Sequence, residues 1–143
     1  MLRRWHFLLA DQLTSDKKEI FQRHLEEALK DWHTHGRPLS WKVEFPYSQY
    51  IQLICYGNPS GCAIDKLHRA VNESALACHL SILSTEWVGI ICFDFIITKK
   101  FYEIIKIWQE GNWDPSWRII EVSEEGLREV RLEESYLSVH LCG

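Results

Sequence analysis

The stretch Trp41-Lys42-Val43-Glu44-Phe45 alternates apolar and charged side chains, as a strand with one buried face does. A turn over Pro46-Tyr47-Ser48-Gln49 separates it from a second apolar segment, Tyr50 to Tyr56. The two segments predict a β-hairpin, and this hairpin lies at the centre of the pattern that decides the fold.

Each side of the hairpin carries one predicted strand and one predicted helix. Before it, residues 5–10 read as an apolar strand, and Thr14-Ser15-Asp16 can cap a helix that stops at Gly36. After it, a helix begins at Cys62, and the nearly continuous apolar run from Trp87 to Ile97 predicts a central strand. The order strand, helix, strand, strand, helix, strand predicts an α+β fold with a ferredoxin-like (βαββαβ) core and an antiparallel sheet.

The last third of the chain predicts an elaboration of this core. Residues 101–108 carry apolar side chains at helical spacing, and a short strand follows over 117–122. A capped segment begins at Ser123, and weak alternation over 132–141 predicts an edge strand.

No linker-like change in composition separates the halves of this 143-residue chain. We therefore predict a single domain over residues 1–143, with a core of about 3–97 and a C-terminal elaboration of about 98–143.

Charge and cysteine usage narrow the class of protein. The net charge of -4 and the thin spread of lysine and arginine argue against binding to nucleic acid or to an anionic membrane. No 18-residue apolar stretch is present that would span a membrane. Five cysteines without a C-x-x-C pair predict reduced thiols and a cytoplasmic location.

Aromatic residues are abundant and divide unequally between the faces of the predicted sheet. Ile51, Leu53 and Cys55 would lie under the two helices together with Val88, Ile90 and Cys92. The opposite face would carry Trp5, Phe7, Trp41, Phe45, Tyr50, Tyr56, Trp87 and Phe93. A face with so many aromatic rings is expected to be covered, either by the C-terminal segment or by a second subunit in a homo-oligomer.

The main candidate site is Ser60-Gly61-Cys62-Ala63-Ile64-Asp65, where a turn opens into the second helix. If Ser60 is the N-cap, Cys62 lies in the first turn, where the helix dipole and free amides favour a thiolate. Asp65 works against the thiolate and Lys66 partly offsets that effect. The alternative interpretation is a capped helix start whose cysteine is a small packed side chain.

The predicted topology brings the end of the first helix to the same edge. His35 could then approach Cys62, which gives a catalytic hypothesis with Cys62 as nucleophile, His35 as base and Asp65 orienting the pair. An anion could also bind at this helix start through Ser60 and Gly61, with Arg37 close by. The sequence identifies no partner in the form of a small-molecule ligand.

No metal site and no cofactor is predicted. Two histidines in the pattern His33-Thr34-His35 would point apart on a helix, and the other candidate ligands are Cys62 and the pair Cys78-His79. The turn Gly57-Asn58-Pro59-Ser60-Gly61 lacks the P-loop pattern, and neither G-x-G-x-x-G nor G-x-S-x-G occurs.

Two segments together resemble a known family: Trp32-His33-Thr34-His35-Gly36 and Ser60-Gly61-Cys62-Ala63-Ile64-Asp65. They are similar to a family of small Bacteroidetes proteins with W-x-x-H-G, then a hairpin, then S-G-C-S-I-D, over roughly residues 5–122. Members are uncharacterised and often carry the automated label ABC transporter ATPase. This sequence has no Walker motif, so the label is not carried over to it. The chain departs from the family at Ala63, where a serine is usual. The resemblance implies that the positions to watch are Trp32, His35, Gly36, Gly61, Cys62 and Asp65.

Two functions follow from the sequence. The first is a non-catalytic binding or interaction module that uses its aromatic face or the edge near Cys62. The alternative is a thiol-dependent enzyme with Cys62 as nucleophile and His35 as base.

Overall fold

The computed structural model of the protein describes residues 2–141. The chain divides into two compact units, Met1–Ile82 and Leu83–Gly143. The single domain predicted over residues 1–143 is not tested by this division and stays a prediction.

The first unit is a three-stranded antiparallel sheet with two helices. The sheet has the order β1-β5-β4, from the strands Leu2–Leu8, Tyr50–Tyr56 and Ser40–Tyr47. The helices α1 and α2 span Ser15–Ala28 and Gly61–Ala77 and contact each other. The hairpin at the centre of the sequence pattern is thus formed by β4 and β5, as predicted.

Polar groups define where α1 begins. Thr14 is its N-cap, and the Thr14 hydroxyl accepts a hydrogen bond from the Lys17 amide at 3.4 Å. The helix ends eight residues before Gly36, because its last helical residue is Ala28. The predicted stop at Gly36 is therefore wrong. The intervening chain forms a small hairpin, in which β2 (His33–Thr34) pairs with β3 (Arg37–Pro38).

The mixed α+β class with antiparallel sheets is confirmed, but the predicted four-stranded sheet is not formed. In the predicted ferredoxin-like sheet, the fourth strand pairs with β1. The apolar run from Trp87 instead forms two strands in the sheet of the other unit. Beside β1, the described chain adds a single antiparallel bridge between Leu9 and Ile82. The reason lies at Phe93-Asp94, where a two-residue turn divides the run and lets it pair with itself.

The aromatic face was assigned to the wrong side of the sheet. Residues directly opposite each other in an antiparallel pair share a face. Trp5 is opposite Leu53, and Trp41 is opposite Cys55, so these rings lie on the helix side. The sheet aromatics that pack in this core are Trp5, Phe7, Trp41 and Phe45. On the other face, Tyr50 is buried and Tyr56 is 48% exposed.

The second unit holds a four-stranded antiparallel sheet and one α-helix. The sheet has the order β7-β6-β8-β9, and its strands are Trp87–Cys92 (β6), Phe95–Lys100 (β7), Arg118–Ser123 (β8) and Gly126–Val130 (β9). The predicted amphipathic helix is present as α3, Phe101–Gln109. The core of the second unit includes Val88, Ile90 and Cys92, which were expected under the two helices of the first unit. It also includes Ile104, Ile119, Leu132 and Leu137.

The C-terminal tail is not an edge strand. It forms two short 3₁₀ helices, Leu132–Glu134 and Tyr136–His140, which bury Leu132 and Leu137. Ser135 fixes the bend between them, because its hydroxyl donates to the Leu132 carbonyl at 2.7 Å and accepts from the Leu137 amide at 3.1 Å. The capped segment predicted from Ser123 is instead the last residue of β8 and the two-residue turn that leads to β9.

None of the helices within residues 2–141 is both long enough and apolar enough to cross a bilayer.

Candidate functional site

The first turn of α2 is built as the sequence predicted. Ser60 is the N-cap, and its hydroxyl accepts a hydrogen bond from the Ala63 amide at 3.3 Å. Cys62 is therefore the second helical residue, and its side chain is exposed. The thiol lies at the positive end of the helix dipole, next to backbone amides that the helix leaves unpaired.

The two histidines reach this region on the β2–β3 hairpin and not on a helix. Its two-residue turn is His35-Gly36, with φ of 48° and 78°. Positive φ at both central residues is the pattern of a type I′ turn, which suits glycine and which histidine adopts more often than most other residues do. The turn therefore fixes His35 at the tip and His33 at the base of the hairpin.

Two hydrogen bonds hold the hairpin segment against the start of α2. The buried Trp32 indole donates from Nε1 to the Ala63 carbonyl at 2.9 Å. The Ser60 amide donates to Thr34 Oγ1 at 2.8 Å. The two segments that the family resemblance marked thus lie side by side.

The β2–β3 hairpin and the start of α2 line an open pocket of about 490 Å³. Its lining residues are His33, His35, Ser60, Gly61, Cys62, Ala63 and Lys66. Four predicted site residues, Cys62, His35, Ser60 and Gly61, therefore meet at one place.

Two predicted site residues do not line this pocket. Asp65 is exposed on α2, and in the described part of the chain it forms no hydrogen bond or ion pair with His35 or Cys62. The orienting role assigned to Asp65 therefore has no support in the contacts of the described residues. Arg37 is exposed on β3, where it pairs with Thr34 across the small hairpin.

Sequence reasoning missed the environment of His33. Its Nδ1 lies 2.8 Å from the Asp31 carbonyl oxygen. A carbonyl only accepts, so Nδ1 carries the hydrogen and Nε2 of the neutral ring keeps its lone pair. The sequence could have shown this only if the helix had been ended at Ala28, which places Asp31 in a turn and His33 at the start of β2.

The other described cysteines differ from Cys62. Cys55, Cys78 and Cys92 are buried, and burial raises the pKa of each of these thiols. Cys142 lies outside the described residues. Among residues 2–141, Cys62 is therefore the thiol that a reagent in solvent can reach.

Metal ligation has no geometric basis in the described chain. Within residues 2–141, no three side chains of histidine, cysteine, aspartate or glutamate are grouped closely enough to hold an ion. His33, His35 and Cys62 share the pocket without forming such a cluster.

Comparison with known proteins gave no match to a family model, to a curated protein or to a solved structure.

Proposed function

We propose that the protein is a non-catalytic cytoplasmic binding module whose ligand site is the pocket between the β2–β3 hairpin and the start of α2. The observation that carries this proposal is the composition of the lining. Two imidazoles, the Lys66 ammonium and the first amides of α2 lie around one opening, and no carboxylate lines it. This set of groups favours a small anionic ligand, such as a carboxylate or a phosphate ester.

The aromatic sheet face no longer supports self-association. Four of its predicted rings pack in the core of the first unit, so they are not free to meet a second copy. The pocket is the better-supported place for a partner, and that partner is a small molecule.

Titration with inorganic phosphate and with acetate tests the proposal. We expect the amide resonances of Gly61 and Cys62 to shift in a saturable way, with sodium chloride at matched ionic strength as the control. The start of α1 at Ser15 is a control within the same molecule, because it also offers free helix amides, but its first turn carries Asp16 and no histidine. Equal shifts at both helix starts, or none at Gly61, would contradict the proposal.

A second candidate function is a thiol-dependent enzyme with Cys62 as nucleophile and a pocket histidine, His35 in the sequence prediction, as base. The observation in its favour is that the exposed Cys62 thiol shares the pocket with both His33 and His35. The test is the rate at which iodoacetamide alkylates Cys62 at neutral pH, measured by peptide mass spectrometry. An enzyme nucleophile should react faster than N-acetylcysteine under the same conditions, and an equal or slower rate would exclude this function.

A further inference from the structure

We infer that His33, and not His35, is the group that takes the proton from the Cys62 thiol. This inference rests on the second candidate function, in which the pocket contains a reactive thiol. It assigns the base on three observations: the hydrogen bond of His33, the two anchors beside it, and the different setting of His35.

The first observation fixes the tautomer of His33. Since Nδ1 donates to the Asp31 carbonyl, Nε2 is the nitrogen with a free lone pair. An imidazole whose far nitrogen donates to an oxygen acceptor is held in one tautomer and one orientation. The backbone carbonyl of Asp31 therefore supplies the orienting group that Asp65 was expected to supply.

The second observation is the anchoring of the residues on either side of His33. Trp32 is bonded to Ala63 and Thr34 to Ser60, so both neighbours are attached to the first turn of α2. The backbone of His33 is thereby held at a fixed separation from the helix start that carries Cys62. A base must be held within reach of the proton it removes, and this segment has that restraint.

The third observation concerns His35, which lacks both features. It lies at the tip of the hairpin with a φ of 48°, and within residues 2–141 it has no hydrogen-bond partner. No hydrogen bond therefore fixes the tautomer or the orientation of its ring. His35 lines the pocket, but nothing orients it toward Cys62.

The chemical step is a single proton transfer. The Cys62 S–H bond breaks, the proton passes to His33 Nε2, and a thiolate and an imidazolium result. The first amides of α2 and the Lys66 ammonium, four residues further along the helix, stabilise the thiolate that forms. With iodoacetamide as the electrophile, the thiolate sulfur then forms a bond to carbon as iodide leaves.

The experiment compares His33→Ala with the matched variant His35→Ala over a series of pH values. We expect His33→Ala to slow alkylation of Cys62 by about tenfold at neutral pH, because a free thiol is only a few per cent thiolate there. In strongly alkaline buffer, where the thiol ionises unaided, the rate should be unchanged, which shows that Cys62 is still accessible. His35→Ala should slow alkylation less than His33→Ala does, and His79→Ala, which changes an exposed histidine beyond the end of α2 and outside the pocket, should match the wild type throughout. Free imidazole should restore the rate of His33→Ala.

The outcomes separate this inference from the function on which it rests. If wild-type Cys62 reacts faster than N-acetylcysteine and His35→Ala is the slow variant, His33 is not the base but the reactive thiol stands. The same conclusion follows if His33→Ala retains the full rate at neutral pH. If wild-type Cys62 reacts no faster than N-acetylcysteine, the thiol function and this inference are both refuted.

Discussion

Replacing Trp32 with phenylalanine should loosen the junction that forms the pocket. The Trp32 ring is 2% exposed, and its Nε1 hydrogen donates to the Ala63 carbonyl at 2.9 Å. Phenylalanine keeps an aromatic ring in place but has no donor. The change therefore removes one buried hydrogen bond and a small part of the packed surface.

The expected loss of stability has two parts. A buried hydrogen bond of this kind contributes about 1 kcal/mol net, and the Ala63 carbonyl keeps its place in α2, so it is not left wholly unpaired. The smaller ring buries about 40 Å² less apolar surface, which at about 25 cal/mol per Å² is about 1 kcal/mol more. We expect Trp32→Phe to lower the free energy of unfolding by about 2 kcal/mol in total.

Urea denaturation of the full chain, followed by far-ultraviolet circular dichroism, measures this loss. Trp41→Phe is the matched control, because Trp41 packs against the same core and forms no side-chain hydrogen bond in the described part of the chain. It should lose only the surface contribution, about 1 kcal/mol or less. If the two variants lose the same free energy, the hydrogen bond to Ala63 does not hold the junction and the reasoning is wrong.

Three further changes test other parts of the structure. Phe93→Gly should raise the free energy of unfolding by about 0.5–1 kcal/mol in urea denaturation. Phe93 has a φ of 58° and is 74% exposed, so glycine relieves strain and loses little burial. A loss of stability would show that the ring is packed. Burial lowers the pKa of His6 below its ordinary 6.5, against the opposing effect of its hydrogen bond to Gln52. The free energy of unfolding should therefore fall as the pH drops below about 6.5, where the unfolded chain binds the extra proton. His6→Gln should flatten the curve of unfolding free energy against pH, and an unchanged slope would contradict this role of His6. Glu121→Gln should lower the free energy of unfolding by about 1–2 kcal/mol in thermal unfolding, since the buried Glu121 carboxylate accepts two hydrogen bonds from Arg128. No loss of stability would mean that the ion pair contributes nothing.

The parts of the fold that sequence predicted well depend on local signals. The alternation over residues 41–45 and the turn after it produce the β4–β5 hairpin. The Ser60 cap likewise placed Cys62 in the first turn of α2, because N-cap chemistry involves residues only three apart. The end of α1 was missed because it has no strong local signal. Nothing between Ala28 and Gly36 breaks a helix as strongly as glycine does, and the chain there is held by a non-local contact, the hydrogen bond from Trp32 to Ala63.

The misassigned strand and face depend on information that is not local. A continuous apolar run such as 87–97 fits one buried strand or two paired strands equally well, and Phe93 gives no turn signal although it occupies a turn position that favours glycine. Which residues share a sheet face is set by register between strands, and a shift of one residue reverses every side chain. Trp5 and Leu53 each alternate correctly within their own strands, but only their pairing shows that they lie on the same side.

The junction that forms the pocket depends on very few side chains, and this separates the fold from the site. On the α2 side, the groups that bond to the hairpin are the Ala63 carbonyl and the Ser60 amide, which are backbone atoms. Neither Cys62 nor Lys66 takes part in these bonds, and both are exposed. Because the pocket would form with other side chains at these two positions, the fold does not require a thiol or an ammonium there. Variants at the pocket lining therefore report on what the pocket does, whereas variants at Trp32 report on whether it forms.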